Sequence, residues 1–386
     1  MDSLYFKEEH VMLRDMVKDF AVNEVRPISG DIDKKSIFPE ENIKKMSELG
    51  LMGIPWDQKY SGTGMDIRAL VIAIEEIGKE CASTAATMMA HTSLGTAPIA
   101  IFGNDAQKEK YLPLLATGKI LGAFGLTEPE AGSDAGNTQT IAIKKGDEYI
   151  INGQKVFCTN AGKAGTIIIT AAIQDNGNDQ GIGAFIIESD NPGLKIGEPE
   201  NKMGWKGSDT RSIYFEDMKL SKNALLGSPQ KGFKQFLQTL TGGRITIGAL
   251  SLGTAQGAYE RAIKYSFERE AFSKQINKFQ AISFKLSDMA LKIQASKHLV
   301  YHAAWKKDKG LSIIKEAAMA KLFASESAMS ICTEAIQVLG GYGYIHEYDV
   351  ERFFRDAKIL EIGEGTSEIQ RIIIAREILK SYQPNE

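Results

Sequence analysis

The amino-acid order predicts an α+β protein in three parts: an N-terminal helical domain, a middle β domain and a C-terminal helical bundle. Three observations carry this. Apolar residues recur near helical spacing up to about Ile120. β-Branched runs bounded by Gly, Asn and Asp fill the stretch from about Leu121 to Met218. Long amphipathic patterns return near Gly232 and continue to the end. The boundaries fall at 1–120, 121–231 and 232–386, and 386 residues are enough for subdomains that share a large core.

In the first part, Val11, Leu13, Val17 and Phe20 mark one helix face, and 69–77 and 82–101 are rich in Ala, Leu and Met, as buried helices are. Met88 and Met89 read as core filler. His91, in His-Thr-Ser-Leu-Gly, is either a satisfied core histidine or part of a pocket wall. In the second part, residues 149–157 read as a hairpin, with Asn152-Gly153 supplying the positive φ angles of a type I′ turn. Residues 166–172 and 183–188 read as further strands. The third part carries helical patterns over 245–267, 279–307 and 312–339, as in a helical bundle. A last helix runs to about Leu379, with Thr366 and Ser367 as N-cap candidates and Glu368 in its first turn.

A net charge of −3 advertises neither a nucleic-acid nor a membrane partner, and no apolar run approaches the roughly 20 residues of a membrane span. The first ten residues show no signal-peptide core and no Arg-rich transit pattern, so a cytoplasmic location is expected, or the mitochondrial matrix for a processed organellar chain. Cys81, Cys158 and Cys332 stand apart without CxxC spacing, which predicts neither disulfides nor zinc. His298 and His302 have two-ligand spacing but no accompanying third ligand, so no metal is expected. No G-x-G-x-x-G supports a Rossmann nicotinamide site.

Glu364 lies between Gly363 and Gly365, just before the last helix. Glycine neighbours leave it uncrowded and permit unusual dihedrals on a rigid base, a geometry that suits a general base. Spacing by itself leaves open a turn residue facing water.

Glu364-Gly-Thr-Ser-Glu-Ile-Gln-Arg371 resembles the C-terminal signature of the acyl-CoA dehydrogenases, flavoenzymes that introduce an α,β double bond into acyl-CoA thioesters. The resemblance covers essentially the whole chain. Gly125-Leu126-Thr127-Glu128-Pro129-Glu130-Ala131-Gly132-Ser133-Asp134 resembles the first family signature, and Phe157-Cys158-Thr159-Asn160 a second flavin contact. Arg269-Glu270-Ala271-Phe272 with Gln280, and Gln337 to Tyr344 followed by Glu351-Arg352, match the segments that reach FAD across a subunit interface.

The resemblance implies FAD as cofactor and Glu364 as the base that removes the substrate α-proton while the β-hydrogen leaves as hydride. It places Leu126 and Thr127 on the pyrimidine edge of the flavin, Phe157 on its face, Thr159 near N5, and Ser133 at the pyrophosphate or the CoA arm. Arg269, Phe272, Gln280, Gln337 and Gly341 would hold the adenosine half of a neighbouring protomer's FAD, with Thr366 and Glu368 completing the cofactor set. Substrate contacts fall to Ser133, Arg244, Gly363 and Gly365. Relatives with a base on the other helix carry it at the position of Gly243, which cannot act. Three departures stand out: Asn137 where a small residue is usual, Phe157 where Trp is frequent, and Gly363 where straight-chain relatives often carry Tyr. The implied assembly is a homotetramer that passes electrons to an electron-transfer flavoprotein. Rival readings are an oxidase using oxygen and a DNA-associated homologue, which would need a basic face.

Overall fold

Helices open the chain because apolar positions recur at helical spacing, with Asp66 and Asn104 as side-chain N-caps of two of them. In the computed structural model, which describes residues 2–382, they are α1 (Asp2–Tyr5), α2 (Glu8–Phe20), α3 (Arg26–Lys35), α4 (Glu40–Glu48), α5 (Ile67–Gly78), α6 (Ala82–Ala90), α7 (Ala97–Phe102) and α8 (Asp105–Ala116). α2 buries His10, Leu13, Val17 and Phe20, and the Asp66 carboxylate caps α5 by accepting from the Ala69 N–H at 3.0 Å. Between α6 and α7 the chain winds as a π-helix, His91–Thr96, a wide geometry frequent at functional sites.

The middle part is a sheet of eight strands: β1 (Leu121–Gly125), β2 (Ile141–Lys145), β3 (Glu148–Thr159), β4 (Ala164–Asp175), β5 (Asn178–Glu188), β6 (Leu194–Pro199), β7 (Thr210–Ser221) and β8 (Leu225–Leu226). The order is β6-β7-β3-β2-β4-β5-β8, with β1 also paired to β4. Both β1 and β2 run parallel to β4. Gly125 pairs with Ile169 at the end of β1, and Ile141 with Ala172 at the start of β2. The loop 126–140 therefore leaves the middle of the sheet and returns almost to the same point.

The Asn152-Gly153 pair does not turn the chain as its composition suggests. β3 runs straight through it, and the tight turn falls at Gly146-Asp147. Asn152 spends its amide on β7, accepting from the Asp217 N–H at 2.8 Å and donating to its carboxylate at 3.0 Å. Gly153 takes φ +142° at a shift of register against β7. The same two residues that favour a hairpin turn here favour a bulge.

In the third part, β9 (Glu270–Ala271) and β10 (Lys274–Gln275) form a short ribbon between α9 (Gly232–Glu268) and α10 (Gln280–Asp308), followed by α11 (Ile314–Leu339), α12 (Val350–Lys358) and α13 (Ser367–Ser381). α9 is buried along most of 243–258 and packs on α5, α10 and α11, so one apolar core joins the two helical parts. The sheet keeps a core of its own. The α+β class and the helical–β–helical layout are those the periodicities predict. Among the described residues, no helix is long and apolar enough to cross a membrane.

Candidate active site

The turn before α13 is strained and held. The Gly363 N–H donates to the Ile359 carbonyl at 2.8 Å, after which Glu364 takes φ +55° and Gly365 φ +96°. A left-handed glutamate persists only where its surroundings impose it. Here the Gly365 carbonyl accepts from Gln370 Nε2 at 2.8 Å and from Lys321 Nζ at 2.9 Å, while Thr366 caps α13 through the Ile369 N–H at 3.4 Å. The conformation aims the Glu364 carboxylate at α9. An ideal Cβ on Gly243 would lie 2.1 Å from Glu364 Oε2 and 3.3 Å from Leu94 Cδ2. Gly243 is thus the space the carboxylate occupies.

Glu364 is half-buried as a whole, yet both carboxylate oxygens are buried and lack a hydrogen-bond partner among the described residues. Burial pushes its pKa up to about 7, while the positive charges of Arg244 and Lys321 pull it back down. Arg244 is itself buried, 5 % exposed, with Nε unpartnered. A buried, unpaired carboxylate is costly and marks a site for chemistry, and one that titrates near neutrality suits proton abstraction.

Leu94 belongs to the π-helix. Its neighbours fix it from both sides: Thr246 Oγ1 on α9 donates to Ser93 Oγ at 3.2 Å, and Gly95 lies so close to Gly122 of β1 that a Cβ would come within 2.4 Å of the Gly122 carbonyl carbon. A single turn of chain thus spans from the surroundings of Glu364 to the sheet. His91 is no pocket wall. It is fully buried, its Nδ1 accepts from the Gly122 N–H at 3.0 Å, and its Nε2 faces the Leu115 carbonyl at 3.1 Å. Burial lowers its pKa to about 4, so it stays neutral and ties the helices to β1. Met88 and Met89 are core.

The two flavin-like stretches meet where β1 ends. The Val156 N–H donates to the Thr127 carbonyl at 2.8 Å, setting Leu126 and Thr127 beside Phe157 and Thr159. Phe157 takes φ +58° and leaves its ring 66 % exposed. Beneath them Lys155 and Glu128, both buried, form an ion pair at 2.5 Å. Glu128 also accepts from the Gln139 and Thr140 N–H groups at 2.6 and 3.1 Å, which closes the base of the 126–140 loop. Ser133 stands exposed on that loop. An uncovered aromatic face beside threonine hydroxyls fits a flat, hydrogen-bonding ring such as isoalloxazine.

Arg269, Phe272 and Gly341 line a different cavity of about 600 Å³, together with Tyr265, Phe279 and Tyr342. Gln280 opens α10 at its edge, and the Gln337 carbonyl accepts from the Gly340 N–H beside it. No residue around Glu364 lines this cavity. The residues assigned to the cofactor therefore divide into two groups within one chain. Glu368 is exposed in the first turn of α13, and Gly363 and Gly365 flank Glu364. His298 lies 3.1 Å from Gln294 Nε2 and His302 stacks on Trp305, and no cluster of metal-ligating groups occurs among the described residues.

Four residues of this site receive no role from sequence reasoning: Leu94 and Glu128, although they lie in quoted motifs, and Lys155 and Lys321. A signal exists for the last, since Lys321 falls in register with Ala317, Ala320, Ala324 and Ala328 on the buried face of α11.

Family models match in three consecutive blocks: acyl-CoA dehydrogenase N-terminal domain over 7–119, middle domain over 123–218 and C-terminal domain over 230–379. The chain is 52 % identical to a probable acyl-CoA dehydrogenase of Bacillus subtilis, over 97 % of this chain and 98 % of that one. Butyryl-CoA dehydrogenase from Megasphaera elsdenii superposes with a TM-score of 0.94 at 43 % identity, covering 97 % and 99 % of the two chains. A chain from a structure described as electron transferring flavoprotein of Acidaminococcus fermentans, towards a mechanism of flavin-based electron bifurcation, gives 0.95 at 45 % identity, covering 98 % and 99 %.

Proposed function

The chain belongs to the acyl-CoA dehydrogenase family, oxidoreductases that depend on FAD, and from that premise we propose that it converts a short or branched acyl-CoA thioester to the 2-enoyl-CoA with Glu364 as its base. The observation that carries this is the buried, unpartnered Glu364 carboxylate facing the empty side of Gly243. Ionised, it takes the α-proton, and the electrons of that C–H bond become the new double bond as the β-hydrogen leaves with its pair. FAD, when bound, supplies the acceptor for that hydride.

Negative charge developing on the thioester oxygen needs a fixed donor, and the backbone N–H of Glu364 is the one this chain contributes by resemblance. Leu94 and α9 wall the carboxylate from water, which keeps its proton affinity high. Leu126, Thr127, Phe157 and Thr159 would hold the flavin ring, and Ser133 the CoA arm or pyrophosphate. Arg269, Phe272 and Gly341 in their separate cavity, with Gln280 and Gln337 adjoining it in sequence, suit a diphosphate or adenosine brought by a neighbouring copy. That supports a homo-oligomer, a tetramer by resemblance. An electron-transfer flavoprotein is the proposed acceptor, in keeping with the Acidaminococcus neighbour. Three free, buried cysteines suit work in a reducing compartment.

The short or branched assignment draws on Gly363, where a Cβ would meet nothing nearer than the Ile359 carbonyl oxygen at 3.4 Å. The test is turnover of purified protein on butyryl-CoA and on branched and cyclic acyl-CoAs with a dye acceptor, beside Glu364→Gln. Loss of roughly 10²–10⁴-fold in the variant, with acyl-CoA still bound, is the expected result. Undiminished turnover would place the base elsewhere.

A further inference from the structure

Lys321 is fully buried on α11, where its neighbours one turn away are the small residues Ala317, Ala318, Ala324 and Ser325. A buried ammonium without a carboxylate partner among small side chains is unfavourable unless something it touches needs it. What it touches is the turn of the base: Nζ donates to the carbonyl of Gly365 at 2.9 Å. Gln370 Nε2 donates to the same oxygen at 2.8 Å, and lies 3.4 Å from the Glu364 carbonyl. Gln370 is equally buried. Two buried donors on one carbonyl, directly after a glutamate held at φ +55°, is more than a turn needs for hydrogen-bond satisfaction.

We propose that Lys321 is the positioning residue of the catalytic base, pinning the Glu364 turn through the Gly365 carbonyl and supplying a positive charge that the buried carboxylate faces. The proposal rests on the reading of Glu364 as the base. Lys321 and Gln370 divide the labour: both hold the backbone, and only Lys321 brings charge.

The charges around the base can be named. Arg244 faces Glu364 from α9 and Lys321 faces it from α11. Lys321 also lies in the field of Glu361, in the turn before the base, and of Glu326 on α11, which itself pairs with Arg371 of α13 at 2.7 Å. Arg376 of α13 acts on Arg244. Burial lowers the pKa of Lys321 to about 8, with Glu364 and Glu361 holding it up, so it is charged at neutral pH. Removing that charge leaves burial less opposed at Glu364, and the base then needs a higher pH to ionise.

The experiment follows kcat/KM on butyryl-CoA against pH for the FAD-loaded wild type, Lys321→Arg, Lys321→Gln, Lys321→Met and Gln370→Met. The acid limb of Lys321→Gln and Lys321→Met should move up by about one pH unit, a roughly tenfold loss on that limb, with flavin content retained. Lys321→Arg should restore the limb. Gln370→Met should lower kcat at every pH without moving it, because it loosens the turn and leaves the charge. An acid limb unchanged in both neutral variants overturns the proposal. So does failure of both neutral variants to fold while Lys321→Arg folds, which would assign Lys321 to the fold. Normal turnover in Glu364→Gln would instead sink the underlying reading, so the two failures are separable.

Discussion

Replacing Glu364 by Gln should make the protein more stable at alkaline pH and leave it nearly unchanged at acid pH. The folded pKa of about 7 lies above the ordinary value of 4.5, because burial disfavours the carboxylate. A group raised in this way contributes its stability below the unfolded value and loses it as pH climbs through the folded one. The gap between about 7 and 4.5, at roughly 1.36 kcal/mol per pH unit, amounts to about 3 kcal/mol of native-state penalty once the carboxylate is fully ionised. For a chain of 386 residues, with an unfolding entropy of roughly 2.1 cal/mol/K per residue, that corresponds to about 4 °C in Tm. The assay is thermal unfolding by circular dichroism of wild type and Glu364→Gln at about pH 5 and about pH 8, at one scan rate. Other titrating groups are common to both proteins and cancel in the double difference. Because the unfolded carboxylate is already largely ionised at about pH 5, the advantage of the variant should be larger by about 3 °C at the higher pH. An advantage that is the same at both pH values would refute the idea that the carboxylate is held in a dry, unpaired site.

Gly243→Ala places a methyl 2.1 Å from Glu364 Oε2, so the carboxylate must swing aside. kcat/KM should fall at least roughly tenfold with flavin content unchanged, and wild-type activity would show that the carboxylate position is not critical. Lys155→Met strands Glu128 in the interior and should cost about 3–5 kcal/mol, partly recovered in the double variant with Glu128→Gln. Melting curves decide, and an undiminished single variant would contradict the ion pair's importance. Gly363→Tyr has room at its Cβ and should depress kcat/KM for a branched or cyclic acyl-CoA roughly tenfold more than for butyryl-CoA. Equal losses on both substrates would remove Gly363 from acyl selection.

The helical–β–helical order is legible because each period, 3.6 or 2, is sustained over long stretches. Glu364 is legible because its flanking glycines announce a special turn, and the positive φ values bear that out. The Asn152-Gly153 hairpin fails for a physical reason: a glycine at positive φ serves a bulge as well as a turn, and only the partner strand decides between them. His91 reads as ambiguous because nothing local shows that the Gly122 N–H and the Leu115 carbonyl will use both its nitrogens. The buried lysines are harder still. A lysine in an apolar pattern ordinarily reaches back to water. Lys155 meets Glu128 across 27 residues and Lys321 meets Gly365 across 44, distances over which residue spacing says nothing. That Gly243 cannot act as a base follows from its identity. That it makes room for the Glu364 carboxylate follows only from the packing of α9 against the turn.

The most direct test of Glu364 as the base is the reductive half-reaction. Wild type and Glu364→Gln, each loaded with FAD, are mixed anaerobically with butyryl-CoA and the loss of oxidised flavin absorbance is followed in a stopped-flow instrument. Rapid bleaching in the wild type, and bleaching slower by roughly 10²–10⁴-fold in a variant that still binds acyl-CoA, is the predicted result. Equal bleaching rates in the two proteins would contradict the account.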